Sequence, residues 1–186
     1  LKALDDYAPD ARTFARAIGV SDAIADVVYA RVRAKLTREP VEDQRIDFED
    51  GYGNRPNAEE DADAARCAHE VAHGMKEGTL PPFIGIRIKT FSDELFARSV
   101  RTLDLFVTAM VHASGGRLPD GFVVTLPKIT TPEQVGVLAD LLEALEAKLG
   151  LASGTLRLEV MIEDQRTILL PDGTILCLYE AGEKRA

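Results

Sequence analysis

Charged side chains stand at the ends of four apolar runs in this chain. In chain order these are Glu49 and Asp50, Arg87 and Lys89, Lys128, and Glu163 and Asp164. Carboxylates bind Mg²⁺ through one or two ligands and leave coordination positions for water and substrate oxygens. An arginine offers two parallel hydrogen-bond donors to a substrate carboxylate. The residue types therefore predict a site for a hard divalent metal and a small, anionic, oxygen-rich substrate.

The four apolar runs predict buried strands that would bring these charges together. They are rich in β-branched and aromatic residues and are bounded by Gly, Pro, Asp or Asn. The predicted strands are Arg45 to Glu49, Phe83 to Lys89, Phe122 to Pro127 and Thr155 to Ile162. Reactive groups gather at the carboxyl ends of the strands in a parallel sheet or barrel. Arg87 interrupts an apolar run, so its charge requires a partner if the strand is buried.

Helical patterns separate the predicted strands. The first extends from Ala58 to about Gly78, and the second begins behind Ser92 as its N-cap. The third begins at Thr131, with proline at the first helical position, and ends at Gly150. Further helices are predicted from about Asp10 to Ile18, from Ser21 to Leu36, and after the Asp172-Gly173 turn.

Strand–helix units that repeat at intervals of roughly 35 to 40 residues are typical of parallel βαβ architecture. We predict an α/β fold of parallel strand–helix repeats that forms one domain over residues 1–186. Residues 1–40 form a helical N-terminal segment, and residues 41–186 form four βα units. Four such units suit either a small open sheet or about half of a (β/α)8 TIM barrel.

Composition and charge exclude several classes of protein. The 186 residues carry a formal net charge of −9, and no stretch is densely basic, so we expect no nucleic-acid binding. No apolar run approaches the roughly 18 residues of a membrane helix, so we expect no membrane association. Cys67 and Cys177 have neither metal-ligand nor disulfide-framework spacing, which favours a cytoplasmic location.

The strand-end residues lie in four short segments that resemble one family. RIDFEDGYG resembles the acidic strand end of the HpcH/HpaI aldolase and citrate-lyase β-subunit family, and GIRIK resembles that family's V-R-[IV]-N segment. VVTLPKITTPEQV resembles its L-P-K-V stretch, and LEVMIED resembles its strand ending in I-E-T. The four segments occur in the family's order, from about Arg45 to the C-terminus. The resemblance implies a (β/α)8 barrel of the pyruvate/phosphoenolpyruvate-binding type.

The resemblance also implies an activity and a role for each matched residue. The activity is that of a metal-dependent lyase or aldolase that acts on a 2-oxo acid or an acyl-CoA thioester through a metal-stabilised enolate. Glu163 matches the ligand of the Mg²⁺ (or Mn²⁺) ion, and Arg87 matches the arginine that binds the substrate carboxylate. Glu49 and Asp50 match the acidic pair near the metal, acting through water. Lys128 matches a lysine with a structural role and, with Arg87, completes the expected substrate-binding side chains.

The chain departs from the family's pattern at Lys89 and Asp164, which replace the usual Asn and Thr. The family's second metal ligand is an aspartate one strand later, which we expect beyond residue 186. Because the chain begins at Leu1 and lacks the family's first strand, we expect it to be a piece of a longer protein. We expect this piece to be inactive alone, because half a barrel exposes unpaired strand edges, and the complete protein to be a homo-oligomer.

One motif favours a different chemistry. His69, Glu70 and His73 match HExxH, in which two histidines bind zinc and the glutamate activates water. The alternative function is therefore a zinc metallopeptidase. The helix buries Val71 and Ala72, however, and at about 100° per residue the two histidines project from the opposite, solvated side. A third alternative is a non-catalytic barrel relative that acts as a binding module.

Overall fold

The computed structural model describes residues 1–169, which fold as two compact units divided between Glu42 and Asp43. The first unit is helical. Its elements are α1 (Lys2–Tyr7), α2 (Ala11–Ile18), a 3-10 turn (Asp22–Ile24) and α3 (Ala25–Arg38). The Asp10 side chain caps α2 by accepting hydrogen bonds from the backbone N–H groups of Arg12 and Thr13. The two helices predicted before residue 40 are therefore confirmed, and α1 precedes them.

The second unit alternates strands and helices. Its elements are β1 (Asp43–Asp47), α4 (Asn57–Glu77), β2 (Phe83–Arg87), α5 (Phe96–Ala113), β3 (Val123–Leu126), α6 (Pro132–Leu149), β4 (Arg157–Val160) and a 3-10 turn (Gln165–Thr167). The strands form one parallel sheet in the order β1-β2-β3-β4, so each strand pairs with the next one along the chain. The predicted α/β fold with parallel strand–helix repeats is confirmed at this level.

The two faces of the sheet differ in chemistry because side chains alternate along each strand. One face packs against α4, α5 and α6. Its core includes Ile84, Ile86, Val124, Leu126, Leu103, Phe106, Leu138 and Leu142, all nearly inaccessible to solvent. The residues of opposite parity are polar, and we call their surface the polar face; it is formed by Arg45, Asp47, Arg87, Thr125 and Glu159. The fold thus places charged side chains on one side of a hydrophobic sheet.

The strand boundaries differ from the predicted ones in a way that matters for the site. The first strand was predicted at Arg45 to Glu49, but β1 ends at Asp47. Its end is set by the ladder with β2, in which Asp47 lies opposite Arg87. Glu49 therefore lies in the loop after the strand, together with Asp50. Lys89 likewise follows the end of β2 instead of belonging to it.

One of the two predicted helix caps is wrong and the other is confirmed. The helix predicted to begin behind Ser92 starts at Phe96, with Leu95 as its N-cap. A turn intervenes, in which the Ser92 carbonyl accepts the N–H groups of Leu95 and Phe96. The third helix starts behind Thr131, whose N–H donates to the Gln134 side chain, as a capping box requires.

No helix within residues 1–169 combines the length and apolar character needed to cross a membrane. The helix predicted after the Asp172-Gly173 turn and the second cysteine, Cys177, lie outside the described residues.

Two glycines give a matched test of the sheet packing. A Cβ at Gly85 would lie 2.2 Å from the Val123 carbonyl oxygen on the neighbouring strand, whereas a Cβ at Gly136 in α6 would meet nothing within 4 Å. We expect Gly85→Ala to lower the free energy of unfolding by about 1–3 kcal/mol, because the strands must separate. Gly136→Ala should raise it by about 0.5–1 kcal/mol, because glycine disfavours a helix interior. Urea unfolding measures both; equal effects would contradict this packing.

Candidate functional site

An ion pair between β1 and β2 anchors the polar face at the carboxyl ends of the strands. Asp47 and Arg87 lie opposite each other in the parallel ladder. The Arg87 Nε–H donates to Asp47 Oδ1 at 2.8 Å, and Nη2–H donates to Asp47 Oδ2. Two parallel hydrogen bonds of this kind fix the guanidinium in one orientation. The partner that the sequence required for Arg87 is therefore Asp47.

The same carboxylate also shapes the loop that follows β1. Asp47 Oδ1 accepts the Glu49 N–H at 2.9 Å, and Oδ2 accepts the Gly51 N–H at 2.8 Å. A Cβ at Gly51 would lie 2.5 Å from Asp47 Oδ2, so glycine is required for this close approach. The hydrogen bond from Arg87, reinforced by the two backbone donors, lowers the pKa of Asp47 from 3.8 to about 2. Asp47 is thus ionised and rigidly placed.

Arg45 makes a second charged contact across the polar face. Its β2 neighbour in the ladder is Gly85, which has no side chain. The Arg45 Nε–H donates to Thr125 Oγ1 at 3.3 Å, and Nη2–H donates to Glu159 Oε2 at 2.5 Å. Thr125 in turn donates to Glu159 Oε1 at 3.1 Å. Side chains from β1, β3 and β4 are therefore connected on this face.

Lys128 joins the acidic loop after β1 to the end of β3. Its Nζ donates to Glu49 Oε1 and, at 2.7 Å, to Asp50 Oδ1. Glu49 is 7% exposed, whereas Asp50 is open to solvent. The hydrogen bond from Lys128 lowers the pKa of Asp50. Burial would lower the pKa of Lys128, but its hydrogen bonds to Asp50 and Glu49 raise it above the usual value. The lysine therefore stays charged between the two carboxylates.

The backbone of Lys128 connects this cluster to the fourth strand end. Its φ of 49° lies in the left-handed region, which is uncommon for residues other than glycine. In this conformation its N–H donates to Glu163 Oε1 at 2.8 Å. A backbone outlier of this kind is often found where a side chain must be held for function. Glu163 is exposed and forms no salt bridge within residues 1–169.

A buried ion network holds the acidic loop after β1 in place. Lys89 is 3% exposed, and its Nζ donates to the carbonyl oxygens of Phe48 at 2.6 Å and Gly53 at 3.3 Å. Its Nζ also lies 2.8 Å from Oε2 of Glu60, which is fully buried. Thr102 donates to the other oxygen of Glu60 at 2.5 Å. Lys89 therefore binds the backbone at both ends of the loop that carries Glu49 and Asp50.

The donor set fits a hydrated hard cation better than a metal held only by protein. Within residues 1–169, no group of three or more His, Cys, Asp or Glu side chains is placed to hold a metal ion. Lys128 occupies the space between Glu49 and Asp50. Glu163 offers one oxygen that is fixed by a backbone N–H and a second that has no partner in this range. One or two carboxylates suffice for Mg²⁺, which keeps several waters.

All five predicted site residues come together at one edge of the sheet, and we call this group the strand-end cluster. Glu49, Asp50 and Lys128 are in direct contact, and Glu163 bonds to the backbone of Lys128. Arg87 Nη1 lies 3.9 Å from Glu49 Oε2. The sequence alone did not indicate Asp47, although its place opposite Arg87 would follow once the strand register is known.

Two residues depart from the pattern of the HpcH/HpaI aldolase family that the chain resembles, and both lie away from the centre of this cluster. Lys89 is buried beneath the loop that carries Glu49 and Asp50. Asp164 caps the following 3-10 turn and pairs with Arg166 at 2.7 Å, and this hydrogen bond lowers the pKa of Asp164 to about 2.

The HExxH residues lie on α4, away from the strand-end cluster. His69, Glu70 and His73 are exposed, and Val71 and Ala72 are buried, as the helical periodicity predicts. The part of the chain that the structure describes supplies no third metal ligand to the two histidines. A zinc site needs three or four protein ligands.

The fold and the site define an α/β protein whose parallel sheet carries a charged cluster at the carboxyl ends of its strands. The chain belongs to the family described as a domain of unknown function (DUF6986), which it matches over residues 1–186. No curated protein is significantly similar to it in sequence.

The Asp47–Arg87 pair predicts an acid-sensitive contribution to stability. Because the folded pKa of Asp47 is about 2 and its ordinary value is 3.8, the stabilisation is complete above about pH 4 and is lost as the pH falls towards 2. We expect Asp47→Asn to cost about 1–3 kcal/mol at neutral pH and to flatten this part of the stability profile. Urea unfolding between pH 2 and 7 measures it. The control is Asp140→Asn, an exposed residue in α6; equal profiles for the two variants would refute the assignment.

The exposed histidine pair predicts weak zinc binding. His69 and His73 alone supply two ligands, so we expect zinc to be removed from the full-length protein by a chelator of micromolar affinity. His73→Ala should leave the zinc content of the purified protein unchanged. Atomic absorption after gel filtration measures that content. Stoichiometric zinc that survives the chelator and is lost in His73→Ala would establish the zinc site instead.

Proposed function

We propose that this chain belongs to a divalent-metal-dependent carbon–carbon lyase or aldolase that acts on a 2-oxo acid or an acyl-CoA thioester. The observation that carries the proposal is the single cluster formed by Arg87, Glu49, Asp50, Lys128 and Glu163, which come from four strand ends. Reactive groups are expected at this edge of a parallel sheet. The resemblance of the same four segments to the HpcH/HpaI aldolase and citrate-lyase β-subunit family supports the assignment.

The sheet also supports the barrel that this function implies. Sequential strand order, with α4, α5 and α6 packed on one face, is the arrangement of four consecutive units of a (β/α)8 barrel. In such a barrel the polar face would line the interior. The chain would then supply about half of the barrel.

Arg87 is suited to binding a substrate carboxylate. Asp47 occupies the Nε and Nη2 donors, which orients the guanidinium plane. Among residues 1–169, the groups near Nη1 are the Met161 sulfur at 3.7 Å and Glu49 Oε2 at 3.9 Å. This donor is left for a substrate oxygen, and the small remaining mobility of the side chain lowers the entropic cost of binding.

Glu163 is suited to hold the metal. A bound Mg²⁺ or Mn²⁺ would supply the Lewis acidity that stabilises an enolate. The Lys128 N–H holds one oxygen of Glu163, and the other has no partner among residues 1–169. Glu49 and Asp50, both paired with Lys128, can order water at this edge of the sheet. These side chains would bind and orient an anionic substrate without a large rearrangement of the cluster.

The proposal predicts proton exchange at the methyl group of a small substrate. We expect the full-length protein with Mg²⁺ to exchange the methyl protons of pyruvate or acetyl-CoA with D₂O, followed by proton NMR. Glu163→Gln should slow this exchange at least about 100-fold, because charge stabilisation at the oxyanion is lost. Removing the metal with EDTA should have the same effect.

The matched control is Glu70→Gln, an exposed glutamate in the HExxH motif. It should leave exchange unchanged, whereas it would abolish a zinc peptidase. Exchange that is insensitive to Glu163→Gln would remove the metal-ligand assignment. A full-length protein that exchanges neither compound would contradict the proposed enolate chemistry.

A further inference from the structure

A cleft lies at the opposite end of the sheet from the strand-end cluster. It has a volume of about 540 Å³ and is formed between the second half of α4 and the turn that follows α5. Because α4 and α5 each lead into the amino end of the next strand, this cleft is remote from Arg87 and Glu163. Its volume is within the range of small-molecule sites.

Basic side chains line two walls of this cleft. His69, His73 and Lys76 come from α4 at positions i, i+4 and i+7, which share one side of a helix. Arg117 comes from the turn after α5. No aspartate or glutamate within residues 1–169 lines the cleft. The cleft is thus locally basic in a chain whose net charge is −9.

These basic groups are unusual because their side chains have no partner among the described residues. Between residues 43 and 169, the lysines and arginines that form no salt bridge are Lys76, Arg117 and Arg157, and two of these three line the cleft. Neither His69 nor His73 forms a hydrogen bond within the described residues. The remaining cations of this region are paired, so free donors are concentrated here.

The turn after α5 fixes the position of Arg117. Gly115 and Gly116 have φ values of 70° and 87°, which reverse the chain at the helix end. The Ser114 hydroxyl donates to the Arg117 carbonyl oxygen and accepts the Arg117 N–H at 3.3 Å. The arginine therefore projects from an anchored backbone, although its guanidinium is exposed.

We propose that this cleft binds the phosphate group of a soluble organic phosphate, with Arg117 as the principal ligand. A guanidinium offers two parallel donors to a phosphate, and Lys76 adds a point charge. The imidazoles of His69 and His73 supply N–H donors on the same wall. Ala72 and Met75 provide an apolar surface for the organic part. This site is independent of the proposed lyase chemistry.

Basic residues also stabilise the carboxyl ends of helices, so the test must separate the two roles. Inorganic pyrophosphate is the probe, and isothermal titration calorimetry in metal-free buffer with EDTA measures its Kd for the full-length protein. We expect saturable binding at one site per chain. Arg117→Ala should raise the Kd about tenfold or more, as expected for the loss of a charged hydrogen bond. Lys76→Gln should raise it several-fold and serves as a second, milder variant.

The matched control is Arg157→Ala, which removes the other arginine between residues 43 and 169 that forms no salt bridge in this range. It should change the Kd less than about twofold, and thermal unfolding should show that all three variants are folded. An unchanged Kd in Arg117→Ala and Lys76→Gln, or an equal loss in Arg157→Ala, would overturn the proposal. The proposal would also be overturned if the wild type did not bind pyrophosphate and the variants were only less stable, because the basic residues would then only stabilise the helix ends. Binding to vesicles that contain phosphatidic acid, without binding to pyrophosphate, would assign the basic groups to a lipid surface instead.

Discussion

A guanidinium placed within a parallel sheet must be neutralised, and the Asp47 carboxylate on the neighbouring strand does this for Arg87. The carboxylate accepts two donors from Arg87 and two backbone N–H groups from the loop after β1. One ion pair therefore sets both the orientation of the arginine and the path of the loop that carries Glu49. The loop in turn places Glu49 within reach of Lys128, 79 residues further along the chain.

The resulting cluster keeps an excess of negative charge, because its carboxylates outnumber Arg87 and Lys128. Lys128 partly offsets Glu49 and Asp50, and Asp47 offsets Arg87, which reduces the repulsion among the neighbouring carboxylates. Glu163 differs because, among residues 1–169, only a backbone N–H holds it. Beneath the loop, Lys89 and Glu60 form a pair that solvent does not reach, and Lys89 also bonds to the Phe48 and Gly53 carbonyls. Such pairs are costly to bury, and their hydrogen bonds to the backbone favour one loop conformation.

The sequence was sufficient for the strand–helix alternation and for the set of charges at one edge of the sheet. Periodicity and turn residues carry that information locally, as at Thr131 and Gly150. The sequence did not reveal Asp47, because its role depends on a register with Arg87 that is set by ladder pairing. Ser92 was predicted to be a helix cap, but its carbonyl closes the turn that precedes α5. The left-handed backbone of Lys128 and its contacts across the sheet have no local signal, so the sequence did not predict its bonds to Glu49 and Asp50.

The sequential strand order has a consequence for synthesis on the ribosome. Each strand pairs with the one translated just before it, so the sheet can grow by one unit at a time from the amino end. Loop closure between neighbouring strands is modest in entropic cost, which favours early pairing. The charge of Asp47 is nevertheless unmatched until Arg87, 40 residues later in the chain, has been synthesised. The charge of Asp47 is therefore matched only when the second strand has left the exit tunnel.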